Sequence, residues 1–255
     1  MLQILSCGKS VAMTFERGDH VPSDPYSGFS LCHYTGDDPA RVRNARKRMV
    51  SALGLKEESL VIPRQTHSVN VKIVRTPEIQ PEELEDVDAL VTDLPGIALC
   101  VNTADCMPVV FADGKGRIGI AHAGWRGMVG CIVEKTIEAM ISIGADTKDI
   151  HVACGPHISF EAFEVGEEVA VQFESGSVIR REEWIRPHIS LYASLRNRCL
   201  ACGISEDNLM PLTESFCSFN SGGRFFSARR LGIASGRTPT IIMNLPSLDP
   251  NLDIV

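Results

Sequence analysis

The sequence predicts a mixed α/β (α+β) fold in a single domain, and three observations point to it. Between 127 and 143, Val129, Ile132, Val133, Ile137, Met140 and Ile141 recur at helical spacing. Short apolar runs at 87–92, 97–101, 108–112 and 117–121 have the length of buried strands. The last two flank Asp113-Gly114-Lys115-Gly116, a hairpin signal that makes at least one strand pair antiparallel.

In chain order, Asp38 is placed to cap a helix over 41–53, with Pro39 suited to its first turn. A strand is expected within 61–74, after Pro63, where Val69, Val71 and Ile73 alternate. The four apolar runs follow, and then the helix over 127–143, which Gly144 ends. A strand at 150–153 and helices at 166–173 and 191–201 complete the pattern. The stretches 18–34 and 76–86 are irregular but too short for interdomain linkers, so residues 1–255 read as one domain.

Composition narrows the function classes. A chain of 255 residues with 44% hydrophobic and 22% charged content builds its own core without staples. A net charge of −7, from 32 acidic and 25 basic residues, argues against nucleic acid or an anionic membrane as partner. No apolar run approaches the roughly 20 residues of a bilayer span. The start, MLQILSCGKS, lacks the basic region and apolar length of a secretory signal, and nothing precedes Leu5-Ser6-Cys7 that makes it a lipoprotein site. Nine scattered cysteines then read as reduced thiols of a cytoplasmic protein.

Three polar segments interrupt apolar surroundings: RQTHS (64–68), NTADCMP (102–108) and AHAGWRG (121–127). Each sets one metal-ligand type at a strand end: His67, Cys106 and His122. With a five-residue hairpin loop over 112–116, Phe111 faces Arg117 and Cys106 falls opposite His122. Directly opposed residues have β-carbons roughly 4.5–5.5 Å apart, which lets a thiolate and an imidazole share one zinc. Two histidines and a cysteine leave a fourth position open, the pattern of a catalytic zinc, where bound water loses a proton near neutral pH.

Any one such residue alone is ordinarily structural; three together among Gly, Asp, Asn and Arg are what single them out. The same residues also fit Cys106 as a nucleophile with His122 as its base. Asp105, beside the thiol, can orient a ligand or carry a proton. Arg64 and Arg126 can grip an anion such as phosphate. Asn102, His157 and Arg229 join them as substrate-binding candidates. The Cys199-Leu200-Ala201-Cys202 pair reads as two thiols packed at a helix end.

These segments, in this order, are similar to the laccase-domain family, also called YfiH-like or polyphenol-oxidase-like. The similarity runs from Gly36-Asp37-Asp38-Pro39 through RQTHS, DALVTD (88–93), NTADCMPVVFAD (102–113) and AHAGWRG. It continues through CGPHI (154–158), FEVGEEV (163–169), RFFSARR (224–230) and Ser235-Gly236-Arg237. The resemblance implies packed mixed sheets flanked by helices, in α/β/β/α-like layers, with zinc on His67, Cys106 and His122.

It also implies a monomeric purine nucleoside enzyme, acting with phosphate on adenosine, inosine and methylthioadenosine and with water on adenosine. Other members are described as copper-dependent polyphenol oxidases or as amidases that edit cytoplasmic peptidoglycan precursors. A fold that keeps zinc without activity is the non-enzymatic alternative. The sequence departs from the family where Glu161 and Ala162 replace a cysteine pair, where Ser215 replaces an acid before Phe216-Cys217, and where Asn220-Ser221-Gly222 lacks a second cysteine. Fewer such ligands make a multicopper centre harder to build and leave the zinc triad intact.

Overall fold

The computed structural model describes residues 1–210 and 217–245; Ser215 and Phe216 lie outside the described residues. The chain opens with β1 (Leu2–Cys7) and β2 (Ser10–Thr14), followed by helix α1 (Pro39–Ala52). Next come β3 (Leu60–Val61), β4 (Val71–Ile73), β5 (Ala89–Thr92), β6 (Ala98–Thr103), β7 (Met107–Ala112) and β8 (Ile118–Ala123). Helices α2 (Trp125–Val129) and α3 (Ile132–Ser142) precede β9 (His151–Cys154), α4 (Glu167–Ala170), β10 (Val178–Ile179) and β11 (His188–Ile189). The described part closes with α5 (Leu191–Ala201), α6 (Ala228–Leu231) and β12 (Thr238–Asn244). Among the described residues no helix is long and apolar enough to cross a membrane.

Two five-stranded mixed sheets, ordered β1-β2-β12-β6-β3 and β4-β5-β8-β7-β9, form the centre. Leu5, Leu99, Val101 and Ile242 of the first pack against Leu90, Val110, Ile118 and Ile120 of the second. The outer face of the second sheet buries Val91, Val109 and Phe111 against Ile132, Val133, Ile137 and Met140 of α3. The outer face of the first sets Met13, Cys100 and Ile241 against Met49 of α1. The result is the α/β/β/α layering. Strands buried on both faces carry no alternation, which is why 89–92 and 107–112 read as continuous apolar runs.

Asp38 caps α1 as expected, its carboxylate accepting from the Ala40 amide at 2.8 Å. The helix expected over 127–143 is two helices. Cys131 adopts a left-handed φ of +69° between them. A β-carbon on Gly130 would lie 2.6 Å from Val69 Cγ1, so this junction packs against the approach to β4 too closely for a larger residue. Of the strand expected after Pro63 within 61–74, the structure forms the three residues of β4; β3 ends before Pro63, with polar loop between the two.

The hairpin loop runs one residue later than expected. Ala112 faces Ile118, so His122 lies opposite Pro108, and Cys106 lies just before the strand. The cause is Asp113: its carboxylate accepts from the amides of Lys115 at 2.8 Å and Arg117 at 3.0 Å, drawing Arg117 into the turn. Gly114 (φ +69°) and Gly116 (φ +102°) supply the left-handed turns this loop needs. The displacement is two residues in register, so side-chain parity survives and Cys106 stays on the face of His122 as its diagonal neighbour.

Candidate metal centre

Three loops and strand ends converge at one end of the second sheet, and a buried carboxylate ties them together. Asp88 precedes β5 and is fully buried. Its Oδ2 accepts from the amides of Thr66 at 3.1 Å and Ser68 at 2.7 Å and from the Ser68 hydroxyl at 2.8 Å. Its Oδ1 accepts from the His67 amide at 3.1 Å and from His122 Nδ1 at 2.7 Å. One side chain thereby fixes both the loop carrying His67 and the imidazole ring of β8. Those contacts hold His67 at a φ of +64°, a strained value for a residue other than glycine.

Cys106 follows Asp105, another left-handed residue (φ +78°), in the bend between β6 and β7. Its Sγ lies 3.7 Å from His67 Nε2. The two imidazole rings meet edge to face with centroids 4.8 Å apart. Ligand atoms of His67, Cys106 and His122 all lie within 4.8 Å of one another. Ligands bonded to one tetrahedral zinc are separated by roughly 3.3–3.8 Å, given bond lengths of about 2.0–2.3 Å. The three groups therefore need only a small contraction to share an ion, and the donor set fits zinc.

The electrostatics agree with a site built for a cation. Burial pushes the Cys106 thiol up, but the adjacent His122 and His67 overcome it and hold the thiol well below its usual value. Burial pushes His122 down, and the Cys106 thiolate and Asp88 more than reverse it. Burial likewise raises Asp88, yet hydrogen bonds from His122, Ser68 and Thr66 keep it ionised. With Nδ1 committed to Asp88, His122 keeps Nε2 for a metal, the carboxylate–histidine arrangement that fixes the ligand tautomer. Gly124 is part of the cradle, since a β-carbon there would sit 2.7 Å from Cys106 Sγ.

This cluster forms one wall of a cavity of about 530 Å³. Trp125, Ile158, Phe163 and Leu191 contribute apolar lining, and Gln65, Asn102 and Arg237 contribute polar lining. Of the residues singled out from sequence, His67, Cys106, His122, Asp105, Asn102 and Arg229 line this space.

The other three are not among the residues that line the cavity. Arg64 is exposed and paired with Glu85 at 2.7 Å. The Arg126 guanidinium lies 4.3 Å from the centroid of the neighbouring Trp125 ring. His157 is buried beside the Gly155 carbonyl, with Nδ1 donating at 2.9 Å, and burial lowers it to about 4.

Sequence reasoning passed over Asp88, Gln65 and Arg237. The signal for Asp88 was present: an acid inside the apolar run 87–92 must be paired if the strand is buried. The Arg237 guanidinium meets only carbonyl and hydroxyl oxygens of 233–236, and neither it nor the Arg229 guanidinium has a carboxylate partner among the described residues. Asp105 has both carboxylate oxygens engaged, one with the Ser218 hydroxyl and one with the Arg229 amide, each at 2.7 Å.

Residues 11–244 match the model of a family described as multi-copper polyphenol oxidoreductase laccase. The chain is 42% identical to an adenosine deaminase from an unknown prokaryotic organism, over 94% of this chain and 97% of that one. It is 38% identical to a purine nucleoside phosphorylase of Bacteroides thetaiotaomicron, over 86% and 85% of the two chains. Among solved structures, YlmD from Geobacillus stearothermophilus superposes with a TM-score of 0.83 at 26% identity, covering 95% of this chain and 96% of that one.

Proposed function

The chain belongs to the multi-copper polyphenol oxidoreductase laccase family, and within it we propose a zinc-dependent, cytoplasmic purine nucleoside enzyme. Its reactions are phosphorolysis of adenosine, inosine and methylthioadenosine, and deamination of adenosine. The observation that carries this reading is the His67–Cys106–His122 cluster, backed by Asp88, at a cavity lined by both apolar and polar side chains. Its volume, about 530 Å³, falls in the range of roughly 300–1,000 Å³ typical of small-ligand pockets. The names of the relatives supply the substrate class. Nine free cysteines suit a reducing compartment.

His67, Cys106 and His122 would hold the ion, which supplies a Lewis acid able to acidify water near neutral pH. Asp88 sets the His122 tautomer and keeps Nε2 aimed inward. Trp125, Ile158, Phe163 and Leu191 take the flat purine face and exclude water from it. Arg229 and Arg237 provide positive charge without a fixed carboxylate, which suits inorganic phosphate. In deamination, water oxygen adds at purine C6 and the amine leaves as ammonia, giving inosine. In phosphorolysis, a phosphate oxygen bonds to ribose C1′ as the bond to the base breaks, giving free base and ribose 1-phosphate.

Adenosine incubated with the purified protein should give inosine without phosphate, and adenine with ribose 1-phosphate once phosphate is added. Zinc-loaded protein at micromolar concentration that yields none of these products would end this reading. A second reading follows from the low-lying Cys106 thiol beside His122, a pairing that also suits a cysteine hydrolase acting on an amide, such as a peptidoglycan precursor. Amidase turnover that survives complete metal removal would favour it. Oxygen uptake on phenols by copper-loaded protein tests the oxidase activity in the family's description.

A further inference from the structure

Asn102, on β6, is 2% exposed and lines the cavity, yet neither its Nδ2 nor its Oδ1 has a hydrogen-bond partner. Buried side-chain amides are nearly always satisfied, so a doubly unmet one requires an explanation. Two other buried atoms share this condition, Asp37 Oδ2 and Glu134 Oε2. Each belongs to a carboxylate whose second oxygen is in an ion pair, with Arg41 at 3.5 Å and Arg198 at 2.5 Å respectively. Among the buried side chains of the described residues, Asn102 alone is orphaned at both polar atoms, and it lines the cavity that His67, Cys106 and His122 also line.

The backbone around Asn102 is pinned. Its amide donates to Gln65 Oε1 at 2.8 Å, and Gln65 Nε2 donates to its carbonyl at 2.9 Å. Gln65 thus continues the edge of β6 beyond β3, whose pairing stops at Leu99. Gln65 lies two residues before His67, and Asn102 four before Cys106. The side chain is therefore coupled to both loops that carry metal ligands.

An amide offers a donor and an acceptor side by side, and the best match is a ligand edge with an acceptor next to a donor. We propose that Asn102 reads the N6/N7 edge of a 6-aminopurine: Nδ2 donates to N7, and Oδ1 accepts from the exocyclic amine. This rests on the nucleoside reading above and deepens it. The N6/N7 edge flanks C6, the carbon attacked in deamination, so a reader tied to the metal-bearing loops stands on the correct side of the base. A 6-oxopurine presents two acceptors there and satisfies only half of the amide. Adenine nucleosides are the favoured ligands, and hypoxanthine nucleosides bind as products or weaker substrates.

The test measures inhibition constants of adenosine and 7-deazaadenosine, in which N7 is a C–H, for metal-loaded wild type, Asn102→Leu and Asn102→Asp. Wild type should bind the deaza compound more weakly, and Asn102→Leu should lose about tenfold to a hundredfold in adenosine affinity, the worth of one bidentate contact. Asn102→Leu should no longer distinguish the two compounds and should melt no lower than wild type, because it removes two unmet polar atoms. Asn102→Asp should also lose the distinction, since it has no donor for N7.

A loss in Asn102→Leu that is equal for both compounds overturns the assignment. So does a loss that instead tracks removal of the 2′- or 3′-hydroxyl of the nucleoside. A wild type that binds no nucleoside overturns the enzyme reading itself, whereas turnover of adenosine with no effect of Asn102→Leu overturns this inference alone.

Discussion

Replacing Asp88 by asparagine is the sharpest perturbation of the metal centre, because every contact of the carboxylate is an accepted one. If the amide oxygen takes the Oδ1 place, the bonds from His67 N–H and His122 Nδ1 survive, and the new NH2 meets the amides of Thr66 and Ser68. If the amide is flipped, its NH2 drives His122 to the tautomer protonated on Nε2, which cannot bind a metal. In either orientation two charge-assisted bonds are lost at roughly 1.5–3 kcal/mol each, a cost of roughly 3–6 kcal/mol in stability.

Metal affinity should fall by about 10- to 100-fold. Competition with a chromogenic chelator gives the affinity, and urea unfolding of the metal-free protein gives the stability. Because the Asp88 pKa is depressed on folding, its contribution is full above the unfolded value near 4 and disappears as pH falls through the lower folded value. The acid limb of the stability curve should therefore be shallower in Asp88→Asn. A variant that binds zinc within about twofold of wild type would refute the idea that this carboxylate orients the site.

Two further substitutions probe the surroundings. Gly124→Ala is compatible with the backbone there (φ −71°) but puts a β-carbon 2.7 Å from Cys106 Sγ, so zinc affinity should drop about tenfold or more while far-UV circular dichroism stays that of wild type. His157 is 4% exposed and held down at about 4, so it binds a proton in the unfolded chain well before the folded one as pH falls from 6.5. Stability from this group is complete above pH 6.5 and declines toward pH 4, by about 2 kcal/mol between pH 7 and 5. Urea titrations of wild type and His157→Leu at the two pH values should differ by that amount, and parallel pH dependence would show that His157 titrates normally.

Much of the site was legible because the ligands stand out chemically from the strands they end. A histidine or cysteine among Val, Ile and Ala runs is visible without a structure, and so was the hairpin that brings Cys106 and His122 together. Its register was not, because the side chain of Asp113 decides where the turn begins. The strands at 2–7, 10–14 and 238–244 went unread: the first contains polar residues without clean alternation, and the last begins Thr-Pro-Thr although all seven residues are buried. β1 pairs with β2 as a local hairpin, whereas β12 joins β2 across more than 220 residues of chain, as Thr240 does with Thr14. Local pattern carries no trace of such a partner. The arginines follow the same logic. Arg64 and Arg126 are near the ligands in sequence and do not line the cavity, whereas Arg237 is remote in sequence and does.

Asp105 shows how contacts separate two roles that sequence leaves merged. As a proton carrier it would need a carboxylate oxygen free to exchange with substrate. Both oxygens are engaged, however, and through Ser218 and the Arg229 amide they anchor the segment that brings Arg229 to the cavity. Asparagine can reproduce this arrangement: its oxygen accepts from the Arg229 amide, its NH2 donates to the Ser218 hydroxyl, and it tolerates the φ of +78°. Alanine cannot; it strands the Arg229 amide and adds about 1–2 kcal/mol of left-handed strain. Asp105→Asn should therefore keep both the melting temperature and most of the turnover of adenosine, while Asp105→Ala should raise KM for phosphate and lower the melting temperature. If Asp105→Asn folds like wild type but loses turnover by a hundredfold with KM unchanged, the carboxylate moves a proton and the positioning argument is wrong.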